Sequence, residues 1–206
     1  MSEKDPAHVL LVDKAREWTS FDVVKKIRVA MRIKKVGHAG TLDPLATGLL
    51  IVCTGSMTKQ IQSIVDAEKE YTGTMVLGQT RPSVDMETEV ISEKSISHIS
   101  EKDVIEAFGQ YKGEIMQTPP LYSAIKIGGT RAYTHARAGN ENVQLEARKV
   151  QVYESEITGI QWPYVHFRIV CSKGFYIRSW IRDIGETLGV GAYMESLCRT
   201  RIGDFR

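Results

Sequence analysis

The sequence predicts an α+β protein with a mixed, largely antiparallel central sheet flanked by helices. Strand-like stretches with alternating or apolar-run patterning are interspersed with helix-period stretches. They follow no regular βαβ rhythm, which argues against a doubly wound parallel sheet. No segment repeats and no low-complexity linker interrupts the chain, so residues 1–206 read as one domain or two closely joined lobes, long enough to bury a sizeable core.

A short apolar strand is expected over residues 9–12. The next helix starts near Thr19-Ser20, both good N-cap residues, with Asp22 in the first turn, where a negative charge meets the helix dipole favourably. Phe21, Val24, Ile27 and Met31 recur at helical spacing as its expected buried stripe. Residues 37–48, GHAGTLDPLATG, read as a rigid loop. Gly37, Gly40 and Gly48 permit tight turns, and Pro44 restricts the residue before it, Asp43. Asp before Pro is in itself a common turn former. The run LLIVC over 49–53 reads as a buried strand, so the acid stands at the edge of a packed core.

Residues 56–66 look like a second short helix, and 70–77 like a central strand. A polar loop covers 80–87 and a short strand 90–92; Ser100 with Asp103 caps a helix running to about Gln110. Pro119-Pro120 breaks the pattern. Residues 122–127 read as a strand meeting a turn at Gly128-Gly129, and 130–138 as a helix ending at Gly139. The region 148–171 alternates well enough for two or three strands, with Val165, Phe167 and Ile169 on one face and His166, Arg168 and Val170 on the other. A last helix spans about 175–188, with Ile177, Ile181, Ile184 and Leu188 on one side, and a strand closes the chain near 200–205.

Composition narrows the function classes. No apolar stretch approaches the roughly 18 residues of a membrane span, and the N-terminus, MSEKDP, has no signal-peptide hydrophobic core. Cys53, Cys171 and Cys198 are odd in number and far apart, which suits neither a disulfide framework nor a zinc site and fits a reducing cytoplasm. The five histidines show no metal-ligand spacing, and the glycines at 37, 40 and 48 lack the Lys-Ser/Thr ending of a phosphate loop. Neither a metal nor a nucleotide cofactor is expected. Net charge is 27 − 25 = +2, too small to imply a polyanion partner by itself. Its distribution says more: residues 25–38 hold Lys25, Lys26, Arg28, Arg32, Lys34 and Lys35 with no acid, whereas 85–106 hold seven acids against Lys94 and Lys102. Such a pair of faces would orient a phosphate backbone; the plainer alternative is a solvated helix face.

The string at 37–48 resembles the signature loop of the TruB family of pseudouridine synthases, in its bacterial form, with Leu45-Ala46-Thr47 where guide-RNA-dependent relatives usually carry a different tripeptide. The resemblance places the family's essential acid at Asp43 and runs from about Leu10 to the C-terminus. LLVDKAREWTSFDVV matches the opening segment at Asp13, Lys14, Thr19 and Ser20, with Ala15 where Pro is usual. In Lys69-Glu70-Tyr71, Tyr71 matches the tyrosine that stacks on the target base and takes part in catalysis. Tyr122 and Lys126 of LYSAIK match residues bordering the cleft. Arg178, ending CSKGFYIR, matches the arginine that pairs with the catalytic acid, a pairing a guanidinium can make in bidentate fashion. Leu197 of SLCRT matches the leucine packing under the base, with Cys198 where many members have Arg. Trp180 takes a pocket-adjacent place often held by an aliphatic residue, and His38 matches the histidine that fills the gap left by the flipped base. Lys14 and Thr41 complete the implied substrate contacts.

Each residue has a plainer alternative: a half-buried strand tyrosine for Tyr71, a surface lysine for Lys126, a helix-surface arginine paired with Asp183 for Arg178, and a structural histidine for His38. The resemblance implies a cytoplasmic, monomeric, cofactor-free isomerase acting on the tRNA T-stem-loop. It would flip out the T-loop uridine conventionally numbered 55, break its C1′–N1 bond and rejoin C5 to C1′, with Asp43 as nucleophile or base. No C-terminal PUA-like module is evident before Arg206. The alternatives are a non-catalytic tRNA-binding or folding module and a synthase for another RNA. A paired-carboxylate hydrolase is disfavoured because no second acid accompanies Asp43 in the loop.

Overall fold

The computed structural model describes residues 5–123, 125–138, 140 and 145–206. The expected helix end at Gly139, Ala124 of the 121–126 segment, and the side chain of Lys126 lie outside the described residues.

In chain order the elements are β1 (Val9–Lys14), α1 (Ser20–Met31), β2 (Val36–Ala39), β3 (Thr47–Thr54), a 3-10 helix (Gly55–Gln60), α2 (Ile61–Asp66) and β4 (Lys69–Leu77). Next come β5 (Gln79–Thr80), β6 (Ser92–Glu93), α3 (Glu101–Gln110), β7 (Gly113–Gln117), β8 (Lys126–Ile127), β9 (Thr130–Arg131) and α4 (Ala132–Arg137). The chain ends with β10 (Arg148–Gln161), β11 (Tyr164–Cys171), α5 (Ile177–Thr187) and β12 (Ala192–Ile202). It divides into two compact units. The first comprises the chain up to Gly73 with Arg168–Lys173 and Ser196–Arg206; the second comprises Thr74–Phe167 and Gly174–Glu195.

In the first unit the strand order is β1-β3-β12-β4-β11, with β2 also paired to β3. β1 and β2 run antiparallel to β3, and β12 runs parallel to it. β3 is covered on both faces. Leu49, Ile51 and Cys53 pack with Ala39, Ile64 and Ile202, while Leu50 and Val52 pack with Val23 and Val24 of α1. Burial on both faces explains why this strand is a continuous apolar run rather than an alternation. α1 has the expected start: Thr19 and Asp22 form a reciprocal capping box. Its buried stripe matches the expected one in part: Val24 is buried, Ile27 packs beside it and Val23 joins them, whereas Phe21 is 61% exposed and Met31 is also exposed. The helix presents the row through Ser20, Val23 and Val24 because the Ser20 hydroxyl bonds the backbone of Leu42, which fixes the rotation of the first turn.

In the second unit the order is β12-β4-β11-β10-β7, and β7 pairs antiparallel to β10 from Arg148↔Gln117 to Val152↔Gly113. β7 was not anticipated. The expected strand at 122–127 reduces to the two residues of β8, paired to β9 across Gly128-Gly129. The backbone before it is committed elsewhere, because the carbonyls of Ser123 and Ile125 accept from Tyr133 and Ala132. β12 starts at Ala192, well before the expected position, and it carries the SLCRT string within a strand.

Trp180 was expected beside a pocket and is instead core. It is fully buried in α5, with its ring edge-on to Phe108 (4.9 Å, 76°) and Phe167 (5.2 Å, 71°). Trp180→Ala is expected to lower unfolding free energy by about 3–5 kcal/mol through the cavity it leaves, read as a lowered urea midpoint; an unchanged midpoint would contradict this packing.

Candidate active site

Gly37, His38 and Ala39 belong to β2, paired with Cys53, Val52 and Ile51, so the loop proper is residues 40–46. Five hydrogen bonds shape it. Asp43 O accepts from Ala46 N (3.1 Å), closing a turn with Pro44 at its second position. Ser20 Oγ accepts from Leu42 N (2.9 Å) and donates to Leu42 O (3.2 Å). Pro44 O accepts from Glu17 N (2.8 Å) and from Lys14 Nζ (3.1 Å). The loop re-enters the sheet at Gly48, whose φ of +91° lies in the left-handed region.

Asp43 is half-buried at the tip of this frame, and Thr41 is exposed. Lys14, expected among the substrate contacts, is instead a brace. It is fully buried, and its ammonium donates to Ala15 O (2.9 Å), Trp18 O (2.7 Å) and Pro44 O. Burial pushes its pKa below the usual lysine range; the Asp43 charge opposes this and Arg199 adds to it.

Tyr71 sits on β4. The neighbouring Glu70, on the opposite strand face, accepts from Arg168 (3.1 and 2.6 Å) and Thr200 Oγ1 (2.7 Å), which pins β4 against β11 and β12. Lys69 is buried and donates to the carbonyls of Val65 and Ala67 (2.6 Å) at the end of α2. Burial pushes the Tyr71 hydroxyl up to about 12, with Arg199 opposing and Cys171 and Asp43 reinforcing. The neutral phenol is therefore the folded form well above pH 10. Its stabilising contribution is complete below the ordinary tyrosine range and is lost as pH rises towards 12. Tyr71→Phe is expected to lose less stability than wild type between pH 10 and 12 by thermal unfolding, and parallel curves would refute the assignment.

His38 is half-buried. Burial first, and the Arg199 charge second, hold its imidazole below the ordinary range against the opposing Gly40 carbonyl, so the ring is neutral at pH 7. Its buried Nδ1 has no hydrogen-bond partner among the described residues. Leu197 is buried on β12, and its carbonyl accepts from Thr47 Oγ1 (3.4 Å). The first unit thus carries Lys14, His38, Thr41, Asp43, Tyr71 and Leu197. Lys14 and Tyr71 lie within electrostatic reach of Asp43.

Arg178 and Tyr122 belong to the second unit. Arg178 lies in the first turn of α5, buried, donating to Ser83 O (3.1 Å) and Tyr122 O (2.9 Å), with its Nε 3.5 Å from an Asp85 carboxylate oxygen. Asp183, the plainer partner, pairs with Arg182 instead (2.7 Å). Asp85 was counted as part of an exposed acidic face; it is buried, because the loop carrying it turns inward at Val84, whose φ is +59°. That conformation is disfavoured for a β-branched residue. It is held by Val84 N on Arg81 O (2.9 Å) and Met194 N on Val84 O (2.9 Å).

Arg199 was missed. It is 1% exposed, with its Nε donating to Leu49 O (2.8 Å) and its Nη2 to Gly40 O (3.1 Å), and its charge opposes the upward shift of the Tyr71 hydroxyl. A lone arginine on an alternating strand carries no signal of burial, and nothing in its immediate sequence marks it. Among the described residues no group of three or more His, Cys, Asp or Glu could hold a metal ion. The cluster offers a carboxylate on a rigid loop, a high-pKa phenol and a buried cation, groups suited to nucleophilic or proton-transfer chemistry.

Comparison with known proteins places these residues in context. The family described as TruB family pseudouridylate synthase (N terminal domain) matches residues 28–177. A tRNA pseudouridine synthase B of Flavobacterium johnsoniae is 48% identical over 204 residues, covering 96% of this chain and 89% of that protein. Its namesake of Clostridium tetani is 48% identical over 197 residues, covering 96% and 68%. Among solved structures, a Cbf5-Nop10-Gar1 complex contains a chain similar at TM-score 0.75 and 34% identity. An H/ACA RNP bound to a substrate RNA containing 2'-deoxyuridine gives 0.70 and 31%. Each match covers 96% of this chain, which spans about half the length of the matched chains (49% and 48%).

Proposed function

The chain belongs to the TruB family of pseudouridylate synthases, and from that premise we propose that it isomerises uridine to pseudouridine in tRNA, at the T-loop uridine conventionally numbered 55. The observation that carries the reading is the placement of Asp43 on a loop braced from behind by Lys14 and Ser20, within electrostatic reach of the Tyr71 hydroxyl. In this proposal Asp43 is the nucleophile or base, Tyr71 stacks on the flipped uracil, and Leu197 packs against it. Arg178 is the catalytic arginine, as the resemblance implies. His38, Thr41, Tyr122 and Lys126 contact the RNA, while Lys14 acts on the loop. The chain works as one catalytic domain, a cytoplasmic monomer acting on the T-stem-loop without a cofactor. The test is single-turnover incubation with an unmodified tRNA transcript, mapping pseudouridine by carbodiimide-dependent primer extension. One stop at the T-loop uridine is expected. Binding without any pseudouridine would overturn the assignment and favour an RNA-binding module.

The basic run supports an RNA-facing surface. Lys25, Lys26, Arg32, Lys34 and Lys35 are all exposed, with Trp18 and Phe21 also exposed nearby on the chain. Lys25→Glu with Lys26→Glu is expected to weaken tRNA binding roughly tenfold near 0.1 M salt and to flatten the salt dependence by about one unit of slope per lost phosphate contact. Unchanged affinity and slope would remove α1 from the RNA interface.

A further inference from the structure

The signature loop leaves the sheet where two strands stop pairing with each other. The last rung of the β2–β3 ladder is Ala39↔Ile51. Beyond it Gly40 opens the loop, while β3 goes on pairing with β1 at Lys14↔Gly48 and with β12 at Arg199↔Gly48. The exit of the loop is thus flanked by the backbones of two buried cations. Each also holds the loop with its side chain. Lys14 Nζ donates to Pro44 O (3.1 Å), at the middle of the loop. Arg199 donates from Nη2 to Gly40 O (3.1 Å), at its start, and from Nε to Leu49 O (2.8 Å), just past its end. One planar group therefore spans the gap where the ladder stops. The approach is close: a Cβ on Gly40 would lie 3.5 Å from Arg199 Nη1, and one on Gly48 only 2.4 Å from Arg199 O. A guanidinium presents its donors in a rigid fork, which fixes the separation of two carbonyls in a way that an ammonium on a flexible stem does not.

We propose that Arg199 is a positioning residue for the isomerisation, acting through the loop backbone: its guanidinium clamps the entry and exit of the signature loop together and so sets where the Asp43 carboxylate stands. This rests on the proposed function. In this role Arg199 neither touches the reacting atoms nor changes protonation. Its leverage is geometric, since misplacing a reacting group by about 1 Å can slow a reaction about 100-fold.

The test compares wild type with Arg199→Lys on the full chain, read as single-turnover rate at saturating tRNA transcript, as tRNA affinity and as amide hydrogen exchange. The amides of Leu42, bonded to Ser20 Oγ, and Ala46, bonded to Asp43 O, report the loop; those of Leu50 and Val52 report the strand beside it. Arg199→Lys is expected to slow the rate about 10- to 100-fold with affinity changed less than about threefold. Exchange is expected to speed up at least about tenfold at Leu42 and Ala46 while Leu50 and Val52 stay as in wild type. A wild-type rate overturns the proposal, and so does exchange that rises equally at all four amides, which would mark a general loss of stability. Should Arg199→Lys fail to fold, exchange in wild type decides it: the Arg199 Nε proton is expected to be protected at least as strongly as the Leu42 and Ala46 amides, because the loop opens only when the clamp releases. A guanidinium proton far less protected than those amides would mean a loop that stays closed without the clamp, and overturns the proposal. Failure of the functional reading is distinguishable: wild type would then form no pseudouridine, while the exchange measurements would still show whether Arg199 holds the loop.

Discussion

Replacing Asp43 with Asn is expected to lower the single-turnover rate of pseudouridine formation by at least about 10³-fold while tRNA affinity stays within about threefold. Asparagine keeps the shape of the side chain but cannot serve as an anionic nucleophile or as a base. The turn of the loop that presents it is closed through Asp43 O, and its flanks are held by Ser20, Lys14 and Glu17 through backbone atoms of Leu42 and Pro44. Affinity for RNA comes mainly from phosphate contacts, to which a loop acid does not add. Wild type and variant would be run side by side on one tRNA transcript. A variant retaining near-normal rates would end the nucleophile assignment, and a variant that loses binding in parallel with rate would make Asp43 a folding or binding residue instead.

A large stability effect is expected at Gly48. Its φ of +91° is unfavourable for any residue with a Cβ, and that atom would lie 2.4 Å from Arg199 O, 2.7 Å from Cys198 Sγ and 2.9 Å from Arg199 N. Two of these three atoms are backbone of the paired strand and cannot swing away. Gly48→Ala must therefore either break the parallel pairing of β12 with β3 or displace the loop, and it is expected to cost at least about 3 kcal/mol. Gly109 in α3 is the control: its φ is not positive and a Cβ there meets nothing within 4 Å, so Gly109→Ala is expected to be neutral or stabilising by about 0.5–1 kcal/mol. Urea unfolding of both variants measures the contrast. Equal midpoints for the two would show that the close approach at Gly48 relaxes without cost.

Local chemistry was legible where one residue decides the outcome. Thr19 with Asp22 and Ser100 with Asp103 form the reciprocal capping boxes that their spacing announces, and α3 runs over Glu101–Gln110 as expected. The run at 49–53 is a buried strand, and Val165, Phe167 and Ile169 share a buried face of β11. Expectations failed where partners distant in sequence decide. Phe21 and Met31 match the helical period as well as Val23 and Val24 do, but which row faces inward depends on Ser20 reaching Leu42, 22 residues on. Trp180 was placed beside a pocket because a single position cannot reveal that Phe108 and Phe167 enclose it. Asp85 looked like one charge in a solvated run until Arg178, 93 positions away, removed it from water.

The candidate site divides in the same way. By itself the sequence determined the family and marked Asp43 as the candidate acid together with the residues that frame it, because a twelve-residue string with three glycines and an Asp-Pro step restricts its own backbone. Only the tertiary structure decided which charged groups go inside. Lys14 and Arg199 look no different from surface cations in the sequence, yet both are buried, Lys14 with its ammonium on the carbonyls of Ala15, Trp18 and Pro44 and Arg199 with its guanidinium on those of Gly40 and Leu49. Burial of a charge is set by whether enough acceptors converge on it in space, and at Arg199 those acceptors come from β3 and the loop, with Leu49 alone 150 residues away in the chain.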